Sequence, residues 1–363
     1  MGSRGIAVLA VALSACGRFD FSAPSDAGFD TRPDANVDLD ALVKDHTVVR
    51  RYETTMHLAH EEITIEPVDP SRTFITCDVH TESSDLSYLP TCDLLDALTL
   101  GVDVGTPDDP TTVVIQTIQL PVGNHVQRGT VQWGSNKPQL VIPIDPVDTA
   151  HAFPLLTRWT NIDSDAFDQR IYGTADLASS KLTIDRDRTG NTVHLAWQVV
   201  EMPTASVQPI AITMQVGNAS NGIYTRPDNN PAFVVDTVRT TSGEEAENLL
   251  RLEVGDTQVS AFRNTSLTQL DASAYLVEMP GSTVTSGTLV PGADVTVNAV
   301  QAIPLLDRTS VFLSFSGGTN GDTDTTDDVF ATPLLTADGI TLTRPSSVED
   351  VNSAVTYSIV EWP

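Results

Sequence analysis

The stretch that decides the fold is HLAWQVVEMP, residues 194–203. Nearly the same words recur as ASAYLVEMP at 272–280 and AVTYSIVEWP at 354–363. A weaker copy, TVVIQTIQLP at 112–121, carries Gln119 in place of the Glu. Apolar and polar residues alternate along each run, the period of a strand with one buried face. Each run closes on Pro, which has no N–H for a ladder and so ends pairing. The Glu before it is expected to face solvent.

Two more landmarks recur in the same order. One is a Phe in a strand-like run: Phe74, Phe153, Phe233 and Phe312, spaced 79, 80 and 79 residues apart. The other is a short strand ending in Arg: LTIDR to Arg186, VSAFR to Arg263 and ITLTR to Arg344. The first copy reads LTLGV there, with Val102 in place of Arg. These Arg residues read either as strand-end salt bridges or as contacts to an anionic ligand. Constant order and near-constant spacing give four tandem units, 46–121, 122–203, 204–280 and 281–363. Short alternating runs separated by Gly, Pro, Asn and Asp predict an all-β chain, a tandem array of small antiparallel β-sandwich domains. The expectation is of beads of sheet on a leash. A unit of this size buries only about 60–65% of its unfolded surface, so neighbours are expected to support one another.

The chain has 363 residues, 48 Asp and Glu against 20 Lys and Arg, and a net charge of −28. Such a surface repels phosphate backbones and argues against a nucleic-acid partner. With 40% hydrophobic residues, most of the chain has the material for packed cores.

The N-terminus gives an address. MGSRGIAVLAVALSAC has a short basic start at Arg4 and an apolar run over 6–13. That run is too short to span a bilayer and suits a signal peptide, residues 1–15. Leu13-Ser14-Ala15-Cys16 resembles the bacterial lipobox, which implies a lipid on Cys16 and a membrane anchor. Gly17 is not the Asp that retains lipoproteins at the inner membrane in enteric bacteria, so the resemblance implies an outer-membrane address. Residues 16–45, rich in Asp, read as an acidic disordered tether that spans about 30 Å as a coil. It serves as a spacer or is simply an untrimmed terminus.

The repeat resembles the H-type lectin sandwich and the similar repeats of phage tail fibres. The likeness lies in the unit length, the start Val126-Gln127-Arg128-Gly129 (Val-Thr-Ser-Gly at 284–287), the Phe strand, the Arg-ended strand and the closing aromatic-x-x-Val-Glu strand. It implies sugar binding and often oligomerisation. The Trp-bearing strand of those lectins is absent at 340–344, and no sugar-binding residue is carried over.

Three constellations bear on chemistry. Cys77 and Cys92, in an exported chain, read as a disulfide or as two separate buried thiols. Asp322, Asp324, Asp327 and Asp328 lie within nine residues, where Ca²⁺ would find oxygen ligands. The alternative is a solvated acidic loop, like those at 161–168 and 242–247. His57, His60 and Glu61 match no zinc-enzyme spacing. With no nucleophile or phosphate-loop motif, the sequence points to a non-catalytic protein. Two functions follow: adhesion or glycan binding at the cell envelope, or a scaffold that binds an envelope protein. Trp133 and Trp159 are the aromatics to inspect, with core packing expected.

If Cys16 carries the anchor, Cys16→Ser should move the protein from membrane to soluble fractions. Globomycin, which blocks lipoprotein signal cleavage, should leave an uncleaved precursor. Unchanged fractionation of Cys16→Ser, together with normal cleavage under globomycin, would refute the anchor.

Overall fold

In a computed structural model, residues 45–81, 89–105, 111–160, 172–216, 220–226, 230–240, 249–263, 268–289, 297–300, 306–316, 330–336, 339–343 and 354–363 are described. Every element longer than one turn among them is a strand. The first unit contains β1 (Val48–Met56), β2 (His60–Thr64), β3 (Thr73–Thr81), β4 (Thr91–Leu94), β5 (Thr99–Asp103) and β6 (Thr111–Gln119). The second contains β7 (His125–Trp133), β8 (Gln139–Pro143), β9 (Ala152–Thr160), β10 (Thr174–Ala178), β11 (Lys181–Asp185) and β12 (Val193–Glu201). The third contains β13 (Ser206–Met214), β14 (Ser220–Thr225), β15 (Ala232–Thr240), β16 (Arg251–Val254), β17 (Gln258–Phe262) and β18 (Leu270–Glu278). The fourth contains β19 (Thr283–Leu289), β20 (Val297–Val300), β21 (Thr309–Ser316), β22 (Thr332–Thr336), β23 (Gly339–Thr343) and β24 (Ala354–Glu361).

One plan serves all four. The first, sixth and third strands form one three-stranded antiparallel sheet, with the sixth in the middle; the second, fifth and fourth form the other, with the fifth in the middle. The chain is therefore all-β and built of tandem antiparallel sandwiches, as its period-two pattern predicts.

The closing run explains itself in this plan. Its strand is the centre of the larger sheet, so both edges are paired. The apolar residue before the Glu or Gln is buried in every copy: Ile118, Val200, Val277 and Val360. The residue after it turns inward too: Leu120, Met202, Met279 and Trp362 are all buried. Its N–H donates to the carbonyl just before the third strand each time. Leu120 reaches Arg72, Met202 reaches His151, Met279 reaches Pro231 and Trp362 reaches Arg308, all at 2.9 Å. Only Glu278, and Gln119 in the first copy, depart from the expected solvent-facing place; Glu201 and Glu361 stay partly exposed. Glu278 is buried beside Arg226 at 3.4 Å, Gln119 is buried and accepts from the Asp69 N–H, and Glu201 accepts from the Asp148 N–H.

The glycine of the Val-x-x-Gly start has a steric reason. Gly129 pairs with Trp197 and Gly287 with Tyr357, the aromatics of the closing strands. The indole lies so close that a Cβ on Gly129 would sit 3.0 Å from it. The repeated arginines serve the backbone. Arg186, buried against the Trp133 ring at 4.4 Å, donates to the carbonyls of Lys137, Asn191 and Gly134. Arg263 donates to Gln215 and Thr268 carbonyls. Register places Val104, not Val102, in the Arg position of the first unit, because Asp103 pairs as Asp185 does. Arg344 lies outside the described residues. Trp133 is fully buried, and the Trp159 side chain lies outside the description.

The expectation of separate beads is corrected. The four units belong to one body. One apolar cluster takes Phe74, Phe153, Phe233 and Phe312 from the four units and Trp362 from the last. Their rings stand 6.2, 6.1 and 4.3 Å apart in chain order, and Trp362 lies 5.8 Å from Phe74, joining last unit to first. The fourth copy is offset: Ser310 occupies the place of Phe74, Phe153 and Phe233, and Phe312 lies two residues on, along the same face. Trp362 fills the room beside Ser310, its indole N–H on the hydroxyl at 2.8 Å. Sharing apolar surface in this way makes up what a unit of this size cannot bury alone.

Polar side chains close the ring from unit to unit. The Gln116 amide donates to the Val311 carbonyl and accepts from its N–H, at 2.7 and 2.9 Å. Gln198, at the same place in the second unit, does the same to Ile75, at 2.9 Å both ways. Beside each Gln stands an Arg: Arg51 donates to the Leu306 and Thr309 carbonyls, and Arg128 to the Thr73 carbonyl. In the second unit, Pro154 stands where Ile75 and Val311 stand, and it has no N–H to offer. The facing residue there is Tyr275, whose hydroxyl accepts from Leu177 and donates to the Ala175 carbonyl.

Replacing Gln198 by Ala would strand a buried N–H and a buried carbonyl of Ile75. Urea unfolding is expected to stay a single transition and to lose about 2–4 kcal/mol. Separate transitions for separate units would contradict the fused core.

Candidate functional site: an axial pocket

The four third strands run from the shared aromatic cluster toward a common end. Five residues beyond the start of each lie Asp78, Thr157, Thr237 and Ser314. Three of these hydroxyls stitch neighbouring units together. Thr157 accepts from the Cys92 N–H at 3.1 Å, Thr237 from the Ala175 N–H at 2.8 Å, and Ser314 from the Leu252 N–H at 2.9 Å. Cys92, Ala175 and Leu252 hold one position, second in the fourth strand of their units.

The fourth junction, between last unit and first, departs on both sides. The N–H position is filled by Pro333, which has none, and the hydroxyl position by Asp78. The Asp78 Oδ2 is shut off from solvent and has no hydrogen-bond partner among the described residues. Burial pushes its carboxyl up to about 8. Nearby, His80 bonds Thr332 across the same junction at 2.8 Å.

Asp78 lines a cavity of about 200 Å³ to which all four units contribute. Its other polar groups are Thr157, Arg158, Tyr172, Asp236, Thr237 and Ser314. Leu250, Phe315 and Phe330 supply apolar wall. Arg158 lies over the Tyr172 ring at 4.2 Å. Burial pushes the Asp236 carboxyl up to about 7, and the Arg158 charge restrains the rise. The cavity thus holds one guanidinium and two carboxyl groups. It can accept hydrogen bonds and offer ring faces.

The residues singled out in the sequence fall as follows. Cys77 and Cys92 form a disulfide, with Cα atoms 6.2 Å apart. Cys77 lines the cavity, and Cys92 carries the N–H that Thr157 receives. Cys16 and the group Asp322, Asp324, Asp327 and Asp328 lie outside the described residues. His60 is exposed and bonds Asp103 at 2.8 Å, while the Glu61 carboxylate accepts from the His57 backbone N–H. Among the described residues no group of three or more His, Cys, Asp or Glu converges on a metal-sized space. Asp78, Asp236 and Arg158 were not legible as a site. The signal was a repeat column reading Asp, Thr, Thr, Ser, visible only once register aligns the copies.

No protein-family model, curated protein or solved structure matches the chain.

Because its carboxyl is raised, Asp78 stabilises the fold most when protonated. Stability should fall as pH rises from the ordinary carboxylate value of 3.8 to about 8 and level off above it. Asp78→Asn should abolish that part of the slope and leave the variant more stable than wild type at the alkaline end, by on the order of 1–3 kcal/mol. Urea unfolding across that range checks it; parallel pH profiles would refute it.

Proposed function

We propose that the chain is a non-catalytic, lipid-anchored binding protein of the cell envelope, held at the outer membrane through Cys16 and engaged in adhesion or glycan binding. The axial pocket carries this reading: one concave, mixed polar and apolar site is assembled from all four units. Concave sites with a few convergent polar groups are the usual form of a ligand site. Its size is below the roughly 300–1,000 Å³ of sites that swallow a drug-sized ligand. It therefore suits a small ligand or the terminal group of a larger one. The Asp-rich composition of residues 16–45 supports the same reading, since a spacer there would lift a binding site off a membrane.

A scaffold that binds an envelope protein is the second reading, and the packing of four units around one shared apolar cluster supports it. Large exposed hydrophobics such as Leu58, Leu95, Val122 and Val141 speak for it less, because scattered single residues are ordinary surface.

A glycan-array screen of the Cys16→Ser protein, with and without Ca²⁺, tests the choice. Binding to a defined glycan class is expected. Silence on the array, with one envelope protein bound directly and saturably, would overturn adhesion in favour of the scaffold.

A further inference from the structure

The axial pocket has an unbalanced charge, and that imbalance points to a ligand class. Arg158 acts on the Asp236 carboxyl and supplies its counter-charge. Asp78 has no such neighbour: burial alone acts on it, and its Oδ2 faces no donor among the described residues. The three other junctions show what the position ordinarily does, which is to receive a backbone N–H. At the closing junction Pro333 removes the donor, and Asp78 supplies a stronger acceptor than the hydroxyl it replaces. A buried carboxylate without a donor or a cation is costly. An incoming cation with N–H groups would satisfy both needs at once. Around that acceptor stand the Phe315 and Phe330 rings, 5.4 Å apart edge to face, and the Tyr172 ring. They give an apolar seat of the kind that suits the carbon body of an ammonium ion.

We infer that the axial pocket takes a small organic ammonium group, its N–H donors held by Asp78 and its carbon body seated against Phe315 and Phe330. This inference rests on the binding reading above and names the chemistry of its ligand. The titratable groups that share the cavity with Asp78 are Arg158 and Tyr172 from the second unit and Asp236 from the third; β21 contributes Leu313, Ser314 and Phe315. The Arg158 charge serves the Asp236 carboxyl, so a cation that displaces the Asp78 proton brings the one positive charge that a deprotonated Asp78 would need, and a monocation is the fit.

The test is calorimetric titration of the Cys16→Ser protein with cyclohexylamine and with cyclohexanol, near-isosteric probes that differ in charge. The amine is expected to bind about tenfold or more tightly than the alcohol, the margin of a charge-assisted over a neutral hydrogen bond. Below a pH of about 8, where Asp78 holds its proton, amine binding should release protons into the buffer. Asp78→Asn should erase the preference and the proton release. Phe330→Trp, which fills the cavity and leaves Asp78 in place, should abolish amine binding by a separate route. Equal binding of the two probes, or a preference that survives in Asp78→Asn, would overturn the inference. If neither probe binds while the glycan array is positive, the ligand class is wrong and the binding reading stands. If both experiments are silent, both readings fall.

Discussion

The structure depends on a shortage of apolar surface in each unit and on the way four units relieve it together. A sandwich of two three-stranded sheets closes over a small core. Its larger sheet keeps a second apolar face, formed by a Phe or its substitute and by the residues on either side of the closing Glu. Those faces meet in one cluster that no unit owns. The hydrophobic effect asks only that the area leave water. Direction comes from the polar junctions, where the Gln116 and Gln198 amides grip one residue of an adjoining unit, Val311 of the last and Ile75 of the first, by both its backbone groups. Such bonds are worth little net but are expensive to break when buried. They fix which surfaces meet and in what register.

Repetition makes the departures readable. Where the receiving residue is Pro154, a two-handed amide would find no N–H, and Tyr275 reaches a different strand instead. Where the donating residue is Pro333, the hydroxyl of the other junctions is replaced by Asp78. The first substitution keeps its bonds. The second leaves a buried carboxyl oxygen with no described partner, beside a cavity. Natural folds tolerate such a conflict chiefly where function asks for it. The closing junction is also the one that joins last unit to first, a contact no adjacency in the chain imposes.

Much of the fold was legible in the residues. Period two named the strands, and Val-Glu-x-Pro with its Phe partner named the repeat. Cys77 and Cys92 were a readable pair because fifteen residues separate them and no other partner lay near. Errors came where identity was mistaken for position. Phe312 kept the spacing of the other Phe residues and yet sits two places along its strand, because Trp362 fills the vacated room. Spacing in the sequence matches the Arg of the short strand to Val102, whereas strand pairing matches it to Val104. Alternation turns the Glu of the closing run outward, but it says only which side a residue is on and not what covers that side, as at the buried Glu278.

The sequence by itself determined what is local and periodic: strand after strand in each of four repeats, with Pro to end the ladder. These follow from backbone sterics and from side-chain alternation, which act over a few residues. Tertiary structure alone decided that the beads are one body, that the repeated Arg clamps carbonyls, and that Asp78, Arg158 and Asp236 share a cavity. Those facts belong to pairs far apart in the chain. Their energies come from burial and from hydrogen bonds between units, and no local pattern records which surface another unit will cover.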